Sequence, residues 1–207
     1  MVLPVIQNTG IDFVRGLKDK VVVVTGGGGG IGGATCRRFS EEGAKVAVFD
    51  VDAAASAAVA RAIVQNKGNA RAFTCDVAKH TDCQKAVHDA EAALGAIDVL
   101  VNNAGWDVFR PFVETSPVDW DKIISINLTG ALNMHHALLP GMMERKRGRI
   151  VNVSSDCGTS RLLWRGGLRC LQGRPDWVFQ DHCPRTRSQR HYDQRRVSWC
   201  REHKALR

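Results

Sequence analysis

The stretch VVVVTGGGGGIGG, residues 21–33, joins four valines and a threonine to a run of glycines. A continuous β-branched run is typical of a strand that is covered on both faces. Glycines after such a strand permit a tight turn and let the backbone approach a ligand closely. The next residues, 33–43, have a helical pattern that ends at Gly43. The stretch therefore predicts a strand, a glycine-rich turn and a helix, in that order.

Strand and helix patterns alternate from this stretch up to residue 155. Further strands are predicted at 44–50, 70–77, 97–105 and 148–155, and helices at 53–68, 81–95 and 117–145. Thr81 is the expected N-cap of the helix at 81–95. This alternation predicts an α/β fold, a doubly wound parallel sheet of the Rossmann-like type with right-handed crossovers. Ligands of such sheets bind beyond the carboxyl ends of the strands.

The first two strand ends have the features of a dinucleotide site. A helix that begins directly after the glycines offers free amides and a partial positive charge to a pyrophosphate. Asp50 ends the second strand and can accept both ribose hydroxyls of an adenosine. Its charge would repel a 2′-phosphate and no arginine adjoins it, so NAD is favoured over NADP. The alternatives are a flexible turn and an ordinary turn carboxylate.

Five motifs follow one another in a family's order between residues 20 and 155. They are the pattern Thr25-Gly26-x-x-x-Gly30-Ile31-Gly32 and the segments CDV (75–77), NNAG (102–105), SINL (125–128) and GRIVNVSS (148–155). In this order they resemble the short-chain dehydrogenase/reductase family. The resemblance implies an oxidoreductase that exchanges a hydride between nicotinamide and a secondary alcohol or ketone, with a CoA thioester among the candidate substrates.

The resemblance also assigns expected site residues. The cofactor contacts would be Gly26, Gly30, Ile31, Gly32, Asp50, Asp76, Val77, Asn103, Ala104 and Gly105. Ser155 would hydrogen-bond a substrate oxygen, and Asn127 would hold a helix kink and a water. Without its motif, Ser155 would equally be a strand-end capping hydroxyl. An intact relative is expected to be a homotetramer.

The family's proton-transferring pair has no counterpart at the expected place. The family uses a tyrosine about a dozen residues after the serine and a lysine four residues later, whose charge lowers the tyrosine pKa. The only tyrosine of this chain is Tyr192, and the segment YDQRR (192–196) has arginine where the lysine belongs. As written, the sequence lacks the pair.

Composition changes abruptly near Cys157. Residues 158–207 contain 12 lysines and arginines and 4 aspartates and glutamates. The net charge of this segment is therefore +8, which equals the net charge of the whole chain. That segment has a single alanine, Ala205, and three of the five tryptophans. The sequence therefore predicts a dinucleotide-binding domain at 1–157 and an aberrant basic tail at 158–207 that does not form the family's last two strands.

A shifted reading frame explains both the missing pair and the change of composition. Read one nucleotide later with permitted codons, residues 156–180 give DAARRVSSGEAVYGACKGGLIGFSK. This reading places Tyr-x-x-x-Lys at the family's distance, with the tyrosine 13 residues after Ser155. The tryptophan codons at Trp164 and Trp177 must then encode glycine, which fits at both places. A divergent basic tail is the alternative.

Two other function classes remain open from the sequence. One is a catalytically dead dinucleotide-binding module, since the Tyr-x-x-x-Lys pair is absent. The other is a nucleic-acid-binding protein that uses the arginine tail, which the frame explanation makes a minor alternative. Seven irregularly spaced cysteines favour reduced thiols in a cytosol. Cys200 and His203 lack a matching upstream pair for zinc. No signal peptide or membrane span is expected, so cytoplasmic location is the default.

Overall fold

A parallel five-stranded sheet organises residues 16–154, which are the residues that the computed structural model describes. The strands are β1 (Val21–Thr25), β2 (Lys45–Asp50), β3 (Asn69–Thr74), β4 (Ile97–Asn102) and β5 (Arg149–Asn152). Their order across the sheet is β3-β2-β1-β4-β5, and every neighbouring pair is parallel. The predicted doubly wound α/β class is confirmed.

Helices connect the strands and cover both faces of the sheet. They are α1 (Gly30–Glu41), α2 (Ala53–Gln65), α3 (His80–Leu94), α4 (Pro117–Ile124) and α5 (Gly130–Glu144). A short 3₁₀ turn, Phe112–Glu114, precedes α4, and a π-helical turn, Ser125–Thr129, joins α4 to α5. The single helix predicted at 117–145 is therefore interrupted at its centre. The prediction of Thr81 as an N-cap is wrong, because α3 begins at His80.

The valines of β1 belong alternately to two apolar layers. Val21 and Val23 pack in the layer formed with α3 and α5, whereas Val22 and Val24 pack in the layer formed with α1 and α2. All five residues of β1 are buried. Complete burial of one valine side chain contributes about 1.5–3 kcal/mol. The unbroken valine run thus places β1 at the centre of the sheet, as its sequence predicts.

The strand order places two loops side by side at the carboxyl ends of β1 and β4. From β1 the chain moves outward to β2 and β3, and then returns to the other side of β1 to form β4. The strand order therefore reverses between β1 and β4, which is where ligands bind in doubly wound sheets. The loop after Thr25 and the loop after Asn102 meet at this point.

β5 lies at the edge of the described sheet. Among residues 16–154 its only strand neighbour is β4, and Val151 is about half exposed. The strand is shorter than the predicted range of 148–155. Ser155, the proposed composition break near Cys157 and the segment 158–207 lie outside the described residues. No helix within residues 16–154 is long and apolar enough to cross a membrane.

Candidate active site

Several glycines of the glycine-rich turn are packed so closely that side chains could not replace them. Gly26 has a positive φ of 63°, and a Cβ there would lie 2.9 Å from Ala104 Cα. A Cβ on Gly32 would collide with the Gly26 carbonyl oxygen and lie 2.7 Å from Asn103 Nδ2. The turn therefore requires glycine for backbone conformation at one position and for close approach at the other.

Gly30, by contrast, lies beside open space. A Cβ on Gly30 would meet no atom of the described residues within 4 Å. Gly30 begins α1, whose N-cap residue is Gly29, and no described side chain caps this helix end. The first-turn amides are left for another acceptor, and the helix dipole favours an anion there. Next to them, the side chain of Ile31 is 70% exposed. The N-terminus of α1 thus has the donors and the space that a pyrophosphate requires.

Asp50 closes the other side of the turn. Its Oδ2 accepts a hydrogen bond of 2.9 Å from the Gly28 amide, and its Oδ1 accepts one of 2.9 Å from the Asp52 amide. Asp52 in turn caps α2 by accepting from the amides of Ala54 and Ala55. The Asp50 carboxylate is therefore held beside the glycines, and each oxygen retains a lone pair for a further donor.

Asp76 and Val77 form the loop after β3. The Asp76 carboxylate accepts from the Ala78 amide at 3.1 Å and pairs with Lys79 at 3.4 Å. The Val77 carbonyl oxygen accepts a bond of 2.8 Å from Asn133 Nδ2 on α5. The loop is thus fixed from both sides, beside the carboxyl end of β2.

The loop after β4 is fastened to the glycine-rich turn by Thr25 and Asn103. The Thr25 hydroxyl oxygen accepts hydrogen bonds of 3.0 Å from the amides of both Asn103 and Ala104. Asn103 Nδ2 donates to the carbonyl oxygens of Thr25 and Gly26. These bonds hold the Asn103–Gly105 segment across the point where the strand order reverses.

Asn127 lies in the π-helical turn and holds the next residue of that loop. Its Oδ1 accepts from the Trp106 amide at 3.2 Å, and its Nδ2 donates to the Trp106 carbonyl oxygen at 2.7 Å. Nδ2 also donates to the Ile123 carbonyl oxygen at 2.9 Å, within the helix that the π turn widens. A Cβ on Gly105 would lie 2.9 Å from Asn127 Oδ1. π-Helical turns of this kind are frequent at functional sites.

Known proteins share this arrangement. A sequence model described as short chain dehydrogenase matches residues 20–165 of this chain. The chain belongs to the short-chain dehydrogenase family. D-threitol dehydrogenase of Mycolicibacterium smegmatis is 38% identical over 156 residues, which are 75% of this chain and 60% of that protein. Acetoacetyl-CoA reductase of Rhizobium meliloti is 40% identical over 136 residues, which are 66% of this chain and 55% of that protein.

A solved structure agrees with the family. A metagenomic short-chain oxidoreductase in complex with NADP superposes with a TM-score of 0.71 at 34% identity, covering 76% of this chain and 72% of that one. The present chain thus spans little more than half the length of the two curated family members described above.

The structure brings most of the expected family site residues to one edge of the sheet. The glycines of the β1–α1 turn, Asp50, the loop after β3, the Asn103–Gly105 segment and Asn127 all follow carboxyl ends of strands or contact loops that do. Ser155 lies outside the described residues, so its distance from Asn127 is not defined. Within residues 16–154, no three histidine, cysteine, aspartate or glutamate side chains form a metal site.

A polar contact between β4, β5 and α5 was not predicted from the sequence. Asn102 Nδ2 donates to Asn152 Oδ1 at 2.9 Å, and the ring of His135 lies beside it. His135 Nδ1 is 2.5 Å from the Ala131 carbonyl oxygen. Burial lowers the pKa of His135 and thus favours its neutral ring. The spacing of these residues along the chain gives no sign of the contact, which depends on strand order.

Trp106 is a second residue that sequence analysis missed. Lys122 Nζ lies over the ring of Trp106, 4.1 Å from its centre. Asn127 holds the backbone of the same residue from below. The tryptophan is therefore fixed by both its backbone and its ring, in the loop that follows the carboxyl end of β4. Its position directly after NNAG is the one signal in the sequence that could have identified it.

Proposed function

We propose that residues 1–157 form the NAD-binding part of a dehydrogenase or ketoreductase that acts on a secondary alcohol or ketone. The observation that carries this proposal is the Asp50 carboxylate, held against the glycine-rich turn by the Gly28 amide. A carboxylate at that place accepts ribose hydroxyls and disfavours a 2′-phosphate.

Each part of the cofactor has a proposed partner among the described residues. The first-turn amides of α1, from Gly30 to Gly32, would bind the pyrophosphate. Asp76 and Val77 would contact the adenine, and Asn103, Ala104 and Gly105 would line the path toward the nicotinamide. When bound, the nicotinamide supplies the hydride acceptor or donor. The chain's own residues bind it, orient it and hold the loop beside it.

Our choice of NAD differs from the NADP named for the metagenomic relative. It rests on charge. Asp50 lies at the end of β2, and the residues that directly follow it, Val51 and Asp52, carry no positive charge. A 2′-phosphate at this place would face Asp50 at short range, and a second carboxylate, Asp52, lies two residues further along the chain. We therefore infer a preference for NAD.

The substrate class rests on likeness to other family members. The two relatives described above are named as a D-threitol dehydrogenase and an acetoacetyl-CoA reductase. The segments NNAGWD (102–107) and NLTGALNMHHALLPGM (127–142) resemble 2-hydroxycyclohexanecarboxyl-CoA dehydrogenase. Ser155 would orient the alcohol or carbonyl oxygen, while Asn127 would position the loop and support a proton relay. An acyl thioester with a secondary hydroxyl is our candidate substrate.

A second candidate is a binding module without turnover. The observation that favours it is the absence of Tyr-x-x-x-Lys after Ser155 in the printed sequence. We propose that residues 158–207 are out of frame, and that the intact protein is a cytoplasmic homotetramer that carries the pair. Neither nucleic acid nor membrane is proposed as a partner.

Fluorescence titration with NADH and with NADPH tests the proposed function. We expect saturable binding of NADH and at least tenfold weaker binding of NADPH to the 207-residue chain. Equal or tighter binding of NADPH would refute the cofactor preference, and binding of neither would refute the dinucleotide site. Reduced nicotinamide mononucleotide, which is fluorescent but lacks the adenosine half, is the control, because it cannot use Asp50.

A further inference from the structure

The loop after β3 is held by a side chain from the first turns of α5. Asn133 Nδ2 donates a hydrogen bond of 2.8 Å to the Val77 carbonyl oxygen. A carbonyl oxygen only accepts, so the atom of Asn133 that faces it is the amide nitrogen. The Cys83 thiol lies 3.5 Å from the same oxygen, but a thiol is a weak donor. Asn133 is therefore the stronger of the two donors to this carbonyl.

Gly130 brings α5 close enough to the loop for that bond. It lies three residues before Asn133, so the two positions share one side of the helix. A Cβ on Gly130 would lie 2.8 Å from Val77 Cγ2 and 3.1 Å from Val77 Cβ, which is closer than side chains normally pack. The helix thus lies against Val77 at a distance that the short side chain of Asn133 can span.

The bond fixes a residue whose own amide is available to a ligand. Val77 is only 8% exposed, yet within residues 16–154 its amide donates no hydrogen bond. Around it, the Asp76 carbonyl oxygen accepts from the Lys79 amide at 2.9 Å, and the Asp76 carboxylate accepts from the Ala78 amide at 3.1 Å. Buried amides are almost always paired, so an unpaired one beside the carboxyl ends of the strands favours an acceptor on a ligand.

We propose that Asn133 is a positioning residue for the adenine half of the cofactor. This inference rests on the proposed function, in which Asp76 and Val77 contact the adenine. The Lys79 amide fixes the peptide before Val77 and Asn133 fixes the peptide after it, so the Val77 amide is held in one direction. Without the Asn133 donor the second peptide is free to rotate, and ligand binding must restore its orientation. The loss therefore falls on affinity for the adenine half.

The nicotinamide half has separate supports. Asn127, six residues before Asn133, holds the backbone of Trp106 in the loop after β4. Thr25 accepts the Asn103 amide of the same loop at 3.0 Å. Neither contact shares an atom with the bond of Asn133. Removal of the Asn133 donor should therefore leave the loop after β4 in place.

The two halves of the cofactor separate positioning from a general loss of structure. Asn133→Leu, of nearly the same size, and Asn133→Ala both lack the donor, and each should weaken NADH and ADP-ribose by roughly three- to tenfold, as expected for one net hydrogen bond. Reduced nicotinamide mononucleotide should bind both variants as it binds the unmutated chain. Fluorescence titration measures the two reduced nucleotides, and calorimetry measures ADP-ribose. Equal weakening of all three ligands, or of none, would overturn the proposal.

Two further variants serve as controls. Asn133→Gln keeps the donor on a longer stem and should bind ADP-ribose more tightly than Asn133→Leu; equal affinities would show that the side chain acts by packing alone. Asn66 Nδ2 donates to the Ala62 carbonyl oxygen at 2.9 Å, before the amino end of β3 and thus at the opposite edge of the sheet. Asn66→Ala loses a bond of the same kind and should bind all three ligands normally. If it weakens ADP-ribose as much as Asn133→Leu does, the assignment to Asn133 fails.

Amide hydrogen exchange in the ligand-free chain tests the loop without any cofactor. The amides of Ala78 and Lys79 should exchange roughly three- to tenfold faster in Asn133→Leu, and at the normal rate in Asn66→Ala. Amides of β1 should be unaffected in both variants, which shows that they are folded. Unchanged exchange at Ala78 and Lys79 in Asn133→Leu would overturn the proposal. If the unmutated chain binds neither NADH nor ADP-ribose, the proposed function fails and with it the role in adenine binding, whereas faster exchange would still establish Asn133 as the anchor of the loop.

Discussion

At the scale of single residues, Asp50 can be tested against its neighbour Asp52. Both carboxylates accept hydrogen bonds from backbone amides, but only Asp50 accepts one from the glycine-rich turn, at Gly28. We expect Asp50→Ala to raise the Kd for NADH about tenfold or more, because a hydrogen bond to a charged group contributes about 1.5–3 kcal/mol. The Kd for NADPH should fall, since repulsion is removed. Fluorescence titration of both cofactors measures the ratio.

Asp52→Ala is the control for Asp50. It removes the cap of α2 and should lower the free energy of unfolding by about 1 kcal/mol. The Asp52→Ala variant should have the same ratio of NADPH affinity to NADH affinity as the unmutated chain. If Asp52→Ala shifts the ratio as much as Asp50→Ala does, the preference depends on the general charge of the region and not on the ribose edge.

His135 predicts a pH dependence of stability. Burial lowers its pKa in the folded chain from the usual value of 6.5. Above pH 6.5 the ring is neutral in both the folded and the unfolded state, so its contribution to stability is fully present. As the pH falls from 6.5 through the lower folded pKa, the unfolded state binds the proton more readily and stability is lost. Urea unfolding at pH 7.5 and 5.5 should show this loss.

His135→Gln supplies the comparison for the pH effect. Glutamine is uncharged at both pH values, so the variant should lose less stability between pH 7.5 and 5.5 than the unmutated chain. His88→Gln, on the same chain at an exposed position of α3, should leave the pH dependence unchanged. The interpretation fails if the variants at 135 and 88 have the same pH dependence as the unmutated chain.

At the scale of elements, the start of α1 separates folding from binding. Gly32→Ala should destabilise the chain by roughly 1–3 kcal/mol, because its Cβ meets the Gly26 backbone. Gly30→Ala should maintain stability or raise it by about 0.5–1 kcal/mol, since its Cβ meets no described atom and alanine favours helix. It should nevertheless weaken NADH binding by tenfold or more, because the methyl group fills the space assigned to the pyrophosphate. Unfolding curves and NADH titrations of both variants would settle the assignment; undiminished binding by Gly30→Ala would refute it.

The elements also show where prediction from sequence succeeds. β1, β2 and β4 were predicted because strands buried on both faces read as unbroken apolar runs. The π turn at Ser125–Thr129 was not, because a single wide turn inside a long helix is too short to give a periodic pattern of its own. The prediction that Thr81 caps α3 was wrong, because the helix begins one residue earlier, at His80. The sequence around a threonine does not show whether it precedes a helix or lies in its first turn.

At the scale of the whole molecule, the fold followed from the alternation of strands and helices, and the family followed from the order of the motifs. Strand ends that are far apart in sequence meet because the alternation of strands and helices fixes a parallel sheet, which brings Thr25 to Asn103. The contact of Asn102 with Asn152 could not be predicted, because it depends on which strands are neighbours and on their register. Ser155 stays a prediction, as it lies outside the described residues.

The last prediction concerns turnover by the entire chain. The 207-residue chain should bind NADH but oxidise no secondary alcohol above background. Ser155 and Asn127 can position an oxygen, yet neither ionises near neutral pH to accept its proton, and general acid–base assistance amounts to roughly 10²–10⁴-fold. Deleting one nucleotide at codon 157 should restore Tyr-x-x-x-Lys and with it the reaction. NADH formation by both forms, assayed with a hydroxyacyl-CoA and with a simple cyclic alcohol, measures the difference. A matched control carries the same deletion with phenylalanine in place of the restored tyrosine, and it should bind NADH as the corrected form does and stay inactive. Activity of the 207-residue chain, or a corrected form that binds NADH and remains inert with both substrate classes, would show that the explanation of the composition break and the assignment of the proton-transferring pair are mistaken.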